Sequence, residues 1–354
     1  MSDQAARIDD IELTFEPRLM DVFASGRERS SSFSAPYTQL WESLESMARG
    51  GKKVRPRLLM RAYEALGGID GRAAVEAACA IELLHIALVI HDDVIDKDLM
   101  RRGEMNITGR FASEAMLRGV ARRDAHAWGE ASSILAGDLM LTTAHSLLAR
   151  LDIQEERRQA LLDVFDETVF ESAAGEHCDV WLSMHLEEAT PHDVLVMVDQ
   201  KTAAYSFQAP LVMAAVLAGA APTLIEELKV IARQIGVIYQ LRDDVLGLFG
   251  DERMTGKSNL SDLREGKETL LIAYARSDAA WAEVAPLFGD SALSVADGHR
   301  LRAVVEASGA LVFVESHIAE RCDRARELIE KATLPTALSE HLLALTSACN
   351  FRTS

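Results

Sequence analysis

Six long stretches, residues 71–98, 129–150, 155–180, 192–219, 223–249 and 300–333, place apolar side chains at spacings of three and four. That period gathers them on one face of an α-helix, whereas a strand would need strict alternation. Proline, the residue that would interrupt such helices, occurs only eight times in 354 residues. No alternating strand run and no Asn-Gly hairpin turn accompanies the pattern. The chain is predicted to be all-α, a bundle of about ten long helices.

Helix ends are marked by Gly67-Gly68, Gly103, Thr190-Pro191, Gly219 to Pro222, and Pro335. The Ser-rich segment Arg27 to Pro36 reads as a flexible lead-in, so residues 1–35 are expected to be a flexible extension. No later change in composition marks a linker, and residues 36–354 are expected to form one domain.

A net charge of −18 repels nucleic acid and anionic membrane surfaces, so an anionic ligand would need local cations or a metal ion to hold it. Four scattered cysteines, Cys79, Cys178, Cys322 and Cys349, read as reduced thiols in a cytoplasmic protein. The acidic N-terminus lacks the apolar core of a secretory signal. The most apolar run, Ile81 to Ile90, falls short of the roughly 20 residues of a bilayer span, and no integral membrane association is expected.

Two acidic clusters carry the chemistry. His91-Asp92-Asp93-Val94-Ile95-Asp96-Lys97-Asp98 ends an apolar helical run. Asp92 and Asp96 stand at i and i+4, and Asp93 reaches the same side through its i+3 relation to Asp96. Carboxylates packed this way repel one another unless a cation neutralises them. An oxygen-only set suits Mg²⁺, which takes one or two carboxylates and fills the rest of its shell with substrate phosphates. Asp243-Asp244 closes a second apolar helix, ARQIGVIYQL. Read alone, that pair suits a surface acid pair or helix cap equally well; the two pairs together suit a clamp on a diphosphate.

Cationic elements flank these acids: Lys52, Lys53, Arg55 and Arg57 beside Gly50-Gly51, Arg101-Arg102 after the first cluster, Lys201 before Thr202, and Gly256-Lys257 and Gly266-Lys267 in a polar loop. Any one of them could be a solvated surface residue, but their clustering in so acidic a chain points to phosphate capture. His85 lies seven residues before Asp92, about 10 Å back along the same helix face. A lone histidine there is more often a satisfied core residue.

Together the segments GGKKVRP, DDVIDKDLMRRG, LAGDLM (135–140), KTAAYS (201–206) and GK…DLREGKET (256–269) resemble, in order, the trans-isoprenyl diphosphate synthase (polyprenyl synthetase) family. The resemblance implies an all-α fold with a deep central cavity, a homodimer, and Mg²⁺, three ions with substrate bound. Asp92, Asp93 and Asp96 match the first aspartate-rich motif, and Asp243 and Asp244 the second. Arg101, Lys201 and Lys257 match contacts to the allylic diphosphate. Lys52, Arg55, His85 and Arg102 match the isopentenyl diphosphate site. Lys267 belongs to the same diphosphate-binding set, and Thr202 and Gln240 match polar residues near the reacting carbons. The implied reaction is ionisation of an allylic diphosphate, condensation with isopentenyl diphosphate and loss of a proton, with no protein base needed. Two positions depart from the pattern. Gly247 stands where a third aspartate is usual, with Asp251 or a water as substitutes, and Glu176 stands in place of a usual glutamine.

In that family, side chains before the first motif form a floor under the growing product. Here Leu88 and Ala87, with Leu84 a turn below, are not aromatic, so a twenty-carbon geranylgeranyl product is expected, with a longer polyprenyl product as the alternative. Of the other readings, a di-iron bundle lacks its second Glu-x-x-His motif. A terpene cyclase has no use for GGKKVRP. A non-catalytic partner subunit tends to lose charges that this chain keeps.

Overall fold

The computed structural model describes residues 2–101, 103–250 and 259–351, with side chains described from residue 13 onward. Among the described residues the regular structure is helical apart from one small hairpin, and the chain divides into two compact units. One unit comprises residues 1–166 and 209–221, the other 167–208 and 222–354.

The first unit is built on α1 (Ser2–Ser30), α2 (Ala35–Ala48), α3 (Val54–Ala65), α4 (Gly71–Ile95), α5 (Ile107–Leu117) and α6 (Arg122–Ala149). To these it adds the start of α7 (Glu155–Ser183) and a short apolar helix from Ala209 to Ala218. Helix α4 starts where the Asp70 carboxylate accepts the backbone N–H groups of Arg72 and Ala73, two of the donors left unpaired at any helix start. It packs on α6, α3, α1 and α5 and buries Ile81, Leu83, Leu84, Ala87 and Ile90. By length and composition α4 could cross a bilayer, being longer than the Ile81 to Ile90 run suggests, but 78% of its apolar window is buried within the protein. It is a core helix.

Residues 1–35 depart from expectation. Rather than a flexible extension, α1 is a helix whose Phe15, Leu19, Val22 and Phe23 are buried at i, i+4, i+7 and i+8. Arg18 forks onto the Glu76 carboxylate of α4 at 2.7 and 3.0 Å, and Gly26 admits the Trp41 ring of α2. Another difference is the hairpin. Strand β1 (Met100–Arg101) pairs antiparallel with β2 (Glu104–Met105) through a turn at Gly103, which takes a φ of +79°. Strands two residues long carry too little alternation to be read from sequence.

The second unit contains the end of α7, then α8 (Pro191–Val198), a π-helical segment (Asp199–Gln208) and, after α9 (Ala209–Ala218) of the first unit, α10 (Pro222–Phe249). It continues through α11 (Ser261–Glu265), α12 (Leu270–Ala275), α13 (Trp281–Val284), α14 (Val295–Ala307), α15 (Ala310–Lys331) and α16 (Thr336–Asn350). A capping box between Thr190 and Asp193 starts α8, as Thr190-Pro191 predicts. The periodic stretch 300–333 breaks into α14 and α15 at Gly309, whose φ is +82°. Helix α10 is held on one side by Arg242, which forks onto Glu315 of α15 at 2.6 and 2.8 Å and reaches Asn350 of α16. Its other side is left to the π-helical segment.

Candidate active site

In the first unit the chemistry gathers at the C-terminus of α4. The helix stops there because Lys97 turns left-handed, at φ +60°, while the Asp98 N–H returns to the Asp93 carbonyl at 2.9 Å. This cap leaves Asp93 buried, Asp92 half-buried and Asp96 exposed. The hairpin sends Arg101 back onto the pair: its Nε donates to Asp93 Oδ1 at 2.7 Å and one terminal nitrogen to Asp92 Oδ2 at 3.2 Å. Asn106 ties the hairpin down by donating to the Asp98 carbonyl at 2.7 Å while its own carbonyl caps α5. Burial pushes the Asp93 carboxyl above its ordinary range, Arg101 pulls it back, and Asp92 and Asp98 push it up again.

A further cation beside this buried carboxylate would favour its ionised form. Oxygen donors alone, partly desolvated, with room left for phosphate oxygens, fit a hard divalent cation such as Mg²⁺. Among the described residues no three acidic, His or Cys side chains are gathered closely enough to hold an ion by themselves.

Of the GGKKVRP cations, Lys53 turns inward. Left-handed at φ +47°, it buries its ammonium against Glu82 Oε1 at 2.8 Å and the Ala48 carbonyl at 2.7 Å. This pins the start of α3 to the α4 turn that carries His85, and brings the segment holding exposed Lys52 and half-buried Arg55 to that turn. Sequence reading gave Lys53 no such role.

Between Ile81 and Asp92 of α4, half-buried His85, Leu88, Val89 and Asp92 form an i, i+3, i+4, i+7 stripe, with His91 the other half-buried residue. Leu84 and Ala87 are both 0% exposed, so no solvent-sized space touches them. Of the three expected floor residues, only Leu88 shares the aspartate face. Val89, not singled out from sequence, joins it.

In the second unit, Asp243 and Asp244 lie near the end of α10, Asp243 half-buried and Asp244 buried. A relay runs toward them: Thr202 Oγ1 donates to Gln240 Oε1 at 2.9 Å, and Gln240 Nε2 donates to Asp244 Oδ1 at 2.9 Å. Burial pushes the Asp244 carboxyl up to about 7 against the pull of Lys267 and the Gln240 amide. For half-buried Lys267, burial acts downward, but Asp262, Asp244 and Asp179 more than offset it and hold the ammonium well above its ordinary range. The loop carrying Lys267 is fixed on both sides. Gly266 ends α11 left-handed against Gly289, and buried Glu268 is held by Arg276 and by His185 at 3.0 Å.

Gly247, where a third aspartate was looked for, is not an empty place. A Cβ there would meet Asp262 Oδ2 at 2.6 Å, so the Asp262 carboxylate already stands beside the motif. Asp262 was legible only as part of DLREGKET. Lys201 lies between two α7 acids, Asp179 Oδ2 at 2.6 Å and Glu176 Oε2 at 2.9 Å. Glu176 is thus a charged partner of the lysine. Arg102, Asp251 and Lys257 lie outside the described residues.

Comparison with known proteins shows the family. Residues 38–330 match the polyprenyl synthetase family. A geranylfarnesyl diphosphate synthase of Aeropyrum pernix is 32% identical over 310 residues, 86% of this chain and 90% of that protein. A geranylgeranyl diphosphate synthase of Methanosarcina mazei is 33% identical over 270 residues, 73% of this chain and 76% of that protein. A crystal structure of geranylgeranyl pyrophosphate synthase from Corynebacterium glutamicum, complexed with isoprenyl diphosphate and magnesium, matches with a TM-score of 0.89 at 28% identity, covering 98% of this chain and 99% of that one. With residues 38–330 matched and relatives 32% and 33% identical over most of its length, the chain belongs to the polyprenyl synthetase family of trans-prenyltransferases.

Proposed function

We propose that this chain condenses isopentenyl diphosphate with an allylic diphosphate (dimethylallyl, geranyl or farnesyl) in the presence of Mg²⁺ and releases geranylgeranyl diphosphate. The observation that carries the reading is the buried Asp93 carboxylate at the end of α4, joined to Asp92 by the Arg101 fork. When bound, Mg²⁺ supplies positive charge that steadies the departing diphosphate. Asp92, Asp93 and Asp96 would hold it on the first motif and Asp243 and Asp244 on the second.

Arg101, Lys201 and Lys257 orient the allylic diphosphate, and Lys267 adds to the positive field of its own unit. Lys52, Arg55, His85 and Arg102 bind isopentenyl diphosphate. The allylic C–O bond breaks with its electron pair leaving on the diphosphate. The isopentenyl double bond then attacks the allylic carbon, and a proton passes to the released diphosphate. Thr202 and Gln240, held together at 2.9 Å, present fixed oxygen dipoles toward developing positive charge. The enzyme works as a cytoplasmic homodimer.

Non-aromatic Leu88 and Val89 on the aspartate face support a product beyond fifteen carbons. A longer product is the second reading, favoured by the resemblance to a geranylfarnesyl diphosphate synthase. Chain-length analysis with labelled isopentenyl diphosphate and each primer tests both. A twenty-carbon end product supports the first, a longer series the second, and arrest at fifteen carbons contradicts both.

A further inference from the structure

Helices rarely hold π geometry for more than one turn, and where they do the surroundings must enforce it. Residues Asp199–Gln208 hold it for ten residues and carry Lys201 and Thr202. Two glycines let neighbouring helices close on this wide segment. A Cβ at Gly175 of α7 would meet the Lys201 backbone nitrogen at 2.2 Å, and one at Gly236 of α10 would meet Ala203 Cβ at 2.4 Å.

One side chain grips both ends. Arg233 of α10, 18% exposed, donates Nε to Gln208 Oε1 at 2.6 Å and one terminal nitrogen to Asp199 Oδ2 at 2.7 Å and to the Asp199 carbonyl at 3.2 Å. Its other terminal nitrogen bonds Glu171 of α7. The planar five-donor guanidinium can satisfy first residue, last residue and neighbouring helix at once, which a lysine cannot. Two turns along α10 from Arg233 lies Gln240, the partner of Thr202.

We infer that Arg233 is a positioning residue: by clamping both ends of the π-helical segment it sets the register in which Thr202 meets Gln240 and Lys201 faces its ligand. Release of the clamp lets the segment relax toward α geometry and turns Thr202 away from Gln240. The inference rests on the proposed roles of Lys201 and Thr202.

The test uses the purified full-length chain with isopentenyl and farnesyl diphosphates, comparing Arg233→Met, Arg233→Lys, Asp199→Asn, Thr202→Ala and the Arg233→Met/Thr202→Ala pair. A misplacement of about 1 Å costs on the order of 10²-fold, so Arg233→Met should lower kcat by about that factor while KM for isopentenyl diphosphate holds. Arg233→Lys and Asp199→Asn, which keep part of the clamp and the fold, should fall between. The double variant should be no worse than the poorer single, because both act through one contact. If kcat survives in these variants while Tm falls, or if the double variant loses the product of the two single losses, Arg233 is only structural and the inference fails. If instead Thr202→Ala retains full kcat, the reading of the site itself fails.

Discussion

Lys53 and Glu82, 29 positions apart, meet through a buried ion pair with Nζ 2.8 Å from Oε1. Each is less than a tenth exposed, so removing one partner strands a charge in the interior. Lys53→Met should cost about 3–5 kcal/mol, seen as a lower midpoint in urea at unchanged slope. The same variant should raise KM for isopentenyl diphosphate, because the segment carrying Lys52 and the start of α3 with Arg55 loses its pin. An unchanged midpoint contradicts the pairing.

Gly247→Asp should bring no gain. The new side chain would start 2.6 Å from Asp262 Oδ2 and add a carboxylate beside Asp262 and Asp244. Asp262→Ala should lower kcat far more than Gly247→Asp does. Steady-state kinetics across a Mg²⁺ titration compares them; a large gain from Gly247→Asp overturns this placing of Asp262.

Product length should answer to Leu88 before Leu84. Leu88→Phe extends a ring on the aspartate face and should shift the end product toward fifteen carbons. Leu84→Phe should chiefly destabilise, by about 1–3 kcal/mol from overpacking, since Leu84 is 0% exposed. Chromatography of dephosphorylated products and thermal melts separate the two effects.

Cys79 gives a pH test. Burial pushes its thiol from 9.0 up to about 12, with Glu76 adding to the rise. A raised folded value means the neutral form is favoured. Its contribution is whole below the unfolded value and is lost as pH climbs from 9.0 toward about 12. Stability of the wild type should therefore fall more steeply above pH 9 than that of Cys79→Ala, read by urea titration at each pH. Parallel curves would contradict the burial of a neutral thiol.

Much of this was legible from spacing. The apolar period located α4, α6, α7 and α10, and Gly67 and Gly219 end helices as read, whereas Thr190-Pro191 starts one. The helix holding Phe15, Leu19, Val22 and Phe23 is equally periodic, but Ser30 to Ser32 give its end the composition of a flexible loop. Other features had no local signature. The π geometry at Lys201 depends on Gly175, Gly236 and Arg233, which lie far from it in sequence, and two-residue strands show no alternation. The carboxylate beside Gly247 comes from Asp262, fifteen residues on, and only folding brings the two together.

The most direct test of the central claim is incorporation of labelled isopentenyl diphosphate by the purified chain and by Asp93→Asn, each with farnesyl diphosphate, with Mg²⁺ and with a chelator. The wild type should make a labelled twenty-carbon product only with Mg²⁺, and Asp93→Asn, folded by its melting curve, should make almost none. No incorporation by the wild type, or full incorporation by Asp93→Asn, would contradict the account.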